Sequence, residues 1–182
     1  ALRTGAVRLL VLGGSLGARA LNEILPQAIG LLPQQQRPEI LHQAGRDKVA
    51  DARQAYLAAS VDADVVDFVE DMKEAYSWAD LVVCRSGALT VSELAAVGVA
   101  SVLVPYPYAV DDHQTHNGLF LVNAGAAVML QQRDMTPELF SSMLAELVAD
   151  RAKLLDMARA AHTLARPEAT AMIADACEEL VA

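Results

Sequence analysis

A chain of 182 residues is long enough for one ordinary domain with a sizeable core, or for two small ones. With 54% apolar, 20% charged and only 4% aromatic residues, global disorder is excluded and the core must come mainly from Ala, Leu and Val. A formal net charge of −9 argues against broad binding to nucleic acid or anionic lipid, and two cysteines, Cys84 and Cys177, can make neither a disulfide scaffold nor a four-cysteine zinc site.

In chain order, Arg8–Leu12 is a short apolar strand stopped by Gly13-Gly14, and from Gly17 to Leu32 the apolar spacing becomes helical, with Leu21, Ile24, Leu25, Ala28 and Leu32 on one stripe. Pro33 and Pro38 bracket a polar loop before a strand over Glu39–His42. A helix is expected over Asp47–Ala59, a strand over Asp64–Val69, a helix over Met72–Trp78 and a strand over Leu81–Cys84. Leu89–Val97 is helical and stops at Gly98; Ser101–Val104 is a strand ended by Pro105 and Pro107. A helix over Asp112–Asn123 stops near Gly125, and Ala126–Leu130 is the last strand. Three helices follow, Pro137–Ala149, Arg151–Ala165 and Glu168–Val181, the first opened by Thr136 as N-cap with Pro137 at the first helical position. Six Val/Leu-rich strands, apolar on both faces and alternating with helices, predict a Rossmann-like α/β fold: a doubly wound, six-stranded parallel sheet covered on both sides. No repeat, linker or apolar run of about 20 residues is visible, so residues 1–182 read as one domain with no membrane span. The start at Ala1, with neither Met nor leader, reads as a cytoplasmic, processed or excised piece.

In such sheets ligands bind at the carboxyl ends of the strands, where strand order reverses. Two loops there join a strand to a helix through glycine. Gly13-Gly14-Ser15-Leu16-Gly17-Ala18-Arg19 could bring backbone N–H groups and a helix N-terminus to a phosphate, or be a tight turn with no ligand. It is neither the G-x-G-x-x-G fingerprint nor a P-loop, and the acidic ribose ligand of an NAD site is missing, Glu39 being only a loose candidate. In the second loop, Arg85-Ser86-Gly87-Ala88-Leu89-Thr90, the helix start could hold a second phosphate or sugar. Glu93 reads either as a carboxylate for ribose hydroxyls or as half of a Thr90-x-x-Glu93 capping box. His113 and His116 have the spacing of a metal pair but lack a third ligand, so they read as hydrogen-bonding groups at a pocket rim. Asp67, Glu70 and Asp71 read as a solvated loop, and buried Cys84 as a small hydrophobe.

Gly13–Arg19 with Asn22, Asp67–Met72, Ala79–Leu94 and His113–Asn117 together resemble the C-terminal half of the MurG family of N-acetylglucosaminyltransferases, which have the two-domain GT-B fold. The likeness runs from about Arg8 to the final helix, and the 79–94 block is its most specific part. It implies an inverting transferase of peptidoglycan synthesis that takes N-acetylglucosamine from its UDP donor to lipid I, giving lipid II. This chain would be the donor-binding half. The N-terminal acceptor domain, with the catalytic base and the peripheral contact with the cytoplasmic face of the bacterial inner membrane, would be absent. No catalytic residue, cofactor or metal is implied here, though Arg85 would have a supporting role. The resemblance places the donor diphosphate at Ser15 beside Gly13 and Gly14, and the uracil edge at the Val69 backbone between Phe68 and Met72. Ala88, Leu89 and Thr90, with Val91 and Ser92 in the same segment, would contact phosphate and sugar. Glu93 would hold the ribose, and Gln114, near Asn117, the N-acetylglucosamine hydroxyls. Two departures stand out: Gly118 where the family usually has Ala, and Ala100 where Pro commonly follows Gly98-Val99. The residues alone also admit a non-catalytic nucleotide-binding regulatory or interaction module; an NAD-dependent dehydrogenase is disfavoured by the missing fingerprint.

Overall fold

The computed structural model describes residues 3–14 and 18–181. Six strands, β1 (Arg8–Leu12), β2 (Glu39–Gln43), β3 (Asp64–Val66), β4 (Leu81–Cys84), β5 (Ala100–Leu103) and β6 (Ala127–Met129), alternate with helices α1 (Arg19–Gly30), α2 (Val49–Ala58), α3 (Met72–Trp78), α4 (Ala88–Val97) and α5 (His113–Val122). Helices α6 (Pro137–Ala149), α7 (Arg151–Thr163) and α8 (Ala169–Val181) close the chain. All pairings are parallel, in the order β3-β2-β1-β4-β5-β6, so strand order reverses between β1 and β4.

The register explains why the central strands are apolar at every position. Leu9, Val11, Leu81, Val83, Ala100 and Val102 point to one face, where α1, α2 and α6 add Leu25, Tyr56 and Phe140. Leu10, Leu12, Val82, Cys84 and Leu103 point to the other, against Tyr76 of α3, Leu94 of α4 and Leu121 of α5. Burial pushes the Cys84 thiol up to about 12, so it stays protonated and inert.

Element ends follow local chemistry. Gly98 takes the left-handed conformation (φ 71°) and donates its N–H to Leu94, stopping α4. Thr136 Oγ1 accepts from Leu139 N–H at 3.2 Å, making the expected cap of α6. Helix α1 runs through Pro26, which cannot bond the Asn22 carbonyl; the buried stripe Leu21, Leu25, Ala28 and Ile29 carries it across the gap. Two expectations are corrected. The strand expected over Asp64–Val69 ends at Val66, because Asp67 Oδ1 takes the Phe68 N–H and Gln43 Oε1 takes the Val69 N–H, each at 2.9 Å. The helix expected from Asp112 starts at His113, after a 3₁₀ turn, Val110–Asp112, in which Asp111 and Asp112 have φ of 50° and 52°. Gly118, one of the two departures, is buried in α5 against Met129, Leu103 and Ser86; the other, Ala100, opens β5 in the core.

Candidate functional site

At the β1–β4 reversal, α1 and α4 begin on opposite faces of the sheet. The α1 N-cap, Ala18, forms no side-chain cap bond, and neither does Gly87 at α4. Among the described residues no side chain takes the first N–H groups of either helix, which leaves them to water or a ligand there. Gly14 has φ 78°, which a side chain would strain, although a Cβ there would meet nothing within 4 Å. Ser15, the expected diphosphate contact, lies outside the described residues.

Beneath the first loop runs a buried polar chain. Asn22 Nδ2 donates to the Ala44 carbonyl at 3.0 Å, which turns Asn22 Oδ1 toward His42 Nε2 at 3.1 Å. That nitrogen must then carry the proton, so His42 Nδ1 accepts from the Tyr56 hydroxyl at 3.0 Å. Burial lowers the His42 pKa to about 4 and raises that of Tyr56, keeping both neutral. The chain ties α1 to β2 and α2.

The capping-box reading of Thr90 and Glu93 is overturned, because the N-cap is Gly87 and Thr90 is the third residue of α4. Glu93 is exposed, and its Oε2 accepts from the Tyr76 hydroxyl at 2.9 Å. Burial, then the Glu93 charge, raises the Tyr76 pKa, so the phenol remains a donor that aims the carboxylate. Ala88 and Leu89 are exposed at the helix start. Val91 turns into the core and its N–H bonds Gly87; the Ser92 hydroxyl donates to Ala88. The Val91 side chain is thus buried, while the exposed Ser92 hydroxyl keeps its acceptor capacity.

The Arg85 guanidinium joins three loops. Nη1 donates to the carbonyls of Val104 (3.0 Å) and Pro105 (3.1 Å), Nη2 donates to Gln132 Oε1 (2.6 Å), and the group lies 5.6 Å from the Tyr106 ring centroid. Burial lowers its pKa, against the effect of Tyr106. The Tyr106 N–H donates to Gln114 Oε1 at 2.9 Å, so the Gln114 carbonyl is engaged and its NH2 is the outward group. Asn117 Nδ2 donates to the Ser86 carbonyl at 3.3 Å. Gly13, Arg19, Arg85, Tyr106 and Gln114 border a hollow of about 310 Å³.

Farther along the edge, Phe68 is 56% exposed and Met72 half-buried. The Val69 N–H is held by buried Gln43, so its carbonyl is the backbone group that this bond leaves unengaged. Asp71 Oδ1 accepts from Glu74 N–H at 2.8 Å, so this member of the expected solvated loop caps α3. His113 and His116 each bond a backbone carbonyl through Nδ1, and among the described residues no cluster of three His, Cys, Asp or Glu could hold a metal.

Size does not pick out this site. A hollow of about 750 Å³ lies at the opposite end of the sheet, where Arg3 and Arg151 each pair with Asp80 at 3.1 Å and Arg151 holds the carbonyls of Gly5 and Ala6. That network fastens the entering segment. Another, of about 880 Å³, runs from Phe68 and Val69 along β2 and β3 past Trp78. Sequence reasoning missed His42, Gln43, Tyr56, Tyr76, Tyr106 and Gln132. The one available signal was polar His42 and Gln43 following apolar Ile40-Leu41 at the carboxyl end of a strand.

Residues 8–175 match the model of the glycosyltransferase family 28 C-terminal domain. A protein of Marinobacter nauticus named UDP-N-acetylglucosamine–N-acetylmuramyl-(pentapeptide) pyrophosphoryl-undecaprenol N-acetylglucosamine transferase is 52% identical over 177 residues, which are 97% of this chain and 49% of that one. A protein of the same name from Dechloromonas aromatica is 53% identical over 180 residues, covering 98% and 50%. The crystal structure of Acinetobacter baumannii MurG superposes with a TM-score of 0.91 at 44% identity, over 97% of this chain and 51% of that one. CalG4, the calicheamicin glycosyltransferase, shares the fold, with a TM-score of 0.65 at 17% identity. The chain spans about half the length of the curated relatives it matches.

Proposed function

Since the chain belongs to the glycosyltransferase family 28 C-terminal domain family, we propose that it is the donor-binding half of an inverting GT-B N-acetylglucosaminyltransferase that converts lipid I to lipid II. The relatives about half-matched by this chain carry the name of that transferase. The observation that carries the reading is the pair of uncapped helix starts, α1 and α4, across the β1–β4 reversal, with the Glu93 carboxylate aimed by Tyr76 one turn into α4. Two donor-rich helix ends suit a diphosphate, and a fixed carboxylate suits the paired hydroxyls of a ribose.

In this mechanism UDP-N-acetylglucosamine lies across the crevice. The uracil edge meets the Val69 carbonyl between Phe68 and Met72, Glu93 holds the ribose, and the Gln114 NH2 donates to a sugar hydroxyl. The lipid I hydroxyl attacks the anomeric carbon from the opposite side, UDP leaves, and configuration inverts. The negative charge gathering on the leaving diphosphate is met by the first N–H groups of α1 and α4 and the Thr90 hydroxyl. The base that takes the acceptor proton, the acceptor contacts and the docking to the cytoplasmic face of the inner membrane belong to the other half. Among the described residues no helix is long and apolar enough to cross a membrane. Alone, this chain binds donor weakly and does not turn over.

The test is a calorimetric titration with UDP-N-acetylglucosamine, UDP-N-acetylgalactosamine, a purine nucleotide and NAD, with and without chelator. The first ligand should bind best, with chelator making no difference. Glu93→Gln should weaken UDP by about 1–3 kcal/mol with an unchanged melting temperature. A preference for purine nucleotide would favour the regulatory module, and unchanged UDP affinity in Glu93→Gln would end the ribose role.

A further inference from the structure

Gln114 and Gln132 are separated by most of α5 and by β6, yet one unbroken set of contacts joins them. Gln132 Oε1 accepts from Arg85 Nη2 at 2.6 Å; Arg85 Nη1 holds the Val104 and Pro105 carbonyls; the next residue, Tyr106, directs its N–H to Gln114 Oε1 at 2.9 Å. The Tyr106 ring lies against the same guanidinium, closing the path. Among the described residues no carboxylate forms an ion pair with Arg85, so its direction depends on these neutral acceptors. A guanidinium fork is rigid and planar, and removing one acceptor lets it rotate off the others. The Tyr106 N–H can only donate, so the Gln114 amide has one orientation, carbonyl inward and NH2 outward.

We propose that Gln132 is a positioning residue for sugar recognition: through Arg85 and the Pro105–Tyr106 backbone it fixes the orientation of the Gln114 amide, so that the NH2 is presented to the sugar as a hydrogen-bond donor. The inference rests on the donor-binding reading above. It means that the hydroxyl facing the Gln114 NH2 accepts, and that recognition depends on Gln132, which borders the same hollow, through its hold on Arg85.

The experiment compares the chain with Gln132→Leu, Gln132→Glu, Gln114→Ala and the Gln132→Leu/Gln114→Ala double variant. Titrations with UDP and with UDP-N-acetylglucosamine are run beside hydrogen exchange at the Tyr106 amide. Gln132→Leu should weaken the UDP-sugar about three- to tenfold, a hydrogen bond's worth, while UDP affinity stays level. Gln132→Glu, which still accepts from Arg85, should restore the ratio of the two affinities. On the Gln114→Ala background, Gln132→Leu should add no further loss, because its effect passes through Gln114. The Tyr106 amide should exchange faster in Gln132→Leu whether or not ligand is present. Equal losses for UDP and UDP-sugar, an additional loss on the Gln114→Ala background, or unchanged Tyr106 exchange would each overturn the positioning role. Failure of the unmodified chain to bind either ligand would instead bring down the donor-binding reading, and Gln132's role with it.

Discussion

Helices α1 and α4 start differently from α3 and α6, although all four start after a strand of the same parallel sheet. Asp71 caps α3 and Thr136 caps α6, each accepting a backbone N–H from three residues on. At α1 and α4 the N-cap positions hold Ala18 and Gly87, which have no side-chain oxygen to offer. A capped start satisfies its own donors; an uncapped one keeps them and the positive dipole end for an outside acceptor. Helices α2 and α5 also begin without a side-chain cap, and what sets α1 and α4 apart is that they flank the β1–β4 reversal, where a doubly wound sheet opens a crevice. The two open starts are also held differently. α1 is anchored from below by the Asn22–His42–Tyr56 chain, while the loop into α4 is held from the side by Arg85 and Asn117.

The largest expected effect separates those two anchors. His42 has a folded pKa of about 4 against an ordinary 6.5, so between those values the unfolded chain binds the extra proton. Its contribution is complete above pH 6.5 and is lost as pH falls toward 4, about 3 kcal/mol in all. Urea denaturation near pH 7 and at about 4.5 should show the slope, and His42→Gln should flatten it; an equal slope in the variant would break the assignment. Next, Gly87→Asp closes the open start of α4. There is room for the side chain, since a Cβ at Gly87 meets only Thr90 Oγ1, at 3.9 Å. The melting temperature should rise slightly while UDP affinity falls by about 2 kcal/mol, as the carboxylate takes the N–H groups and repels the diphosphate. A gain in stability with no loss of affinity would show that the open end serves no ligand. Smallest, Thr136→Ala opens a closed start: it should cost about 1 kcal/mol in a thermal melt and leave the UDP titration unchanged.

The fold was legible because its signals are local and repeated. Leu9–Leu12 and Leu81–Cys84 are apolar at every position, which only a strand covered on both faces requires, and Thr136-Pro137 marks its helix start unaided. The site was legible in part. The glycine loops announced themselves, but Thr90-x-x-Glu93 carries the spacing of a cap that Gly87 forestalls, and no spacing rule links Glu93 to Tyr76. Gln43 meeting Val69, and Gln132 meeting Arg85, are contacts between residues 26 and 47 positions apart, set by strand order. The short β3 was misjudged for the same reason, since the side chain of Gln43 on the neighbouring strand takes the N–H that a longer strand would have paired.

Gly118 has a consequence for the order in which substitutions can accumulate. Inside a helix, alanine is favoured over glycine by about 1 kcal/mol, so drift at this position should run toward alanine. A methyl group there would lie 2.5 Å from the Met129 terminal methyl, 3.2 Å from Leu103 Cδ1 and 3.3 Å from Ser86 Cβ. The Met129 methyl is the free end of a flexible side chain and can turn aside, so what opposes the gain in helix propensity is the tight fit against Leu103 and Ser86, which must give by a few tenths of an ångström. A shorter residue at 129 removes the nearest contact altogether, so Gly118→Ala should cost less on a background shortened at 129 than on the present one, a coupling between a helix and the strand beneath it.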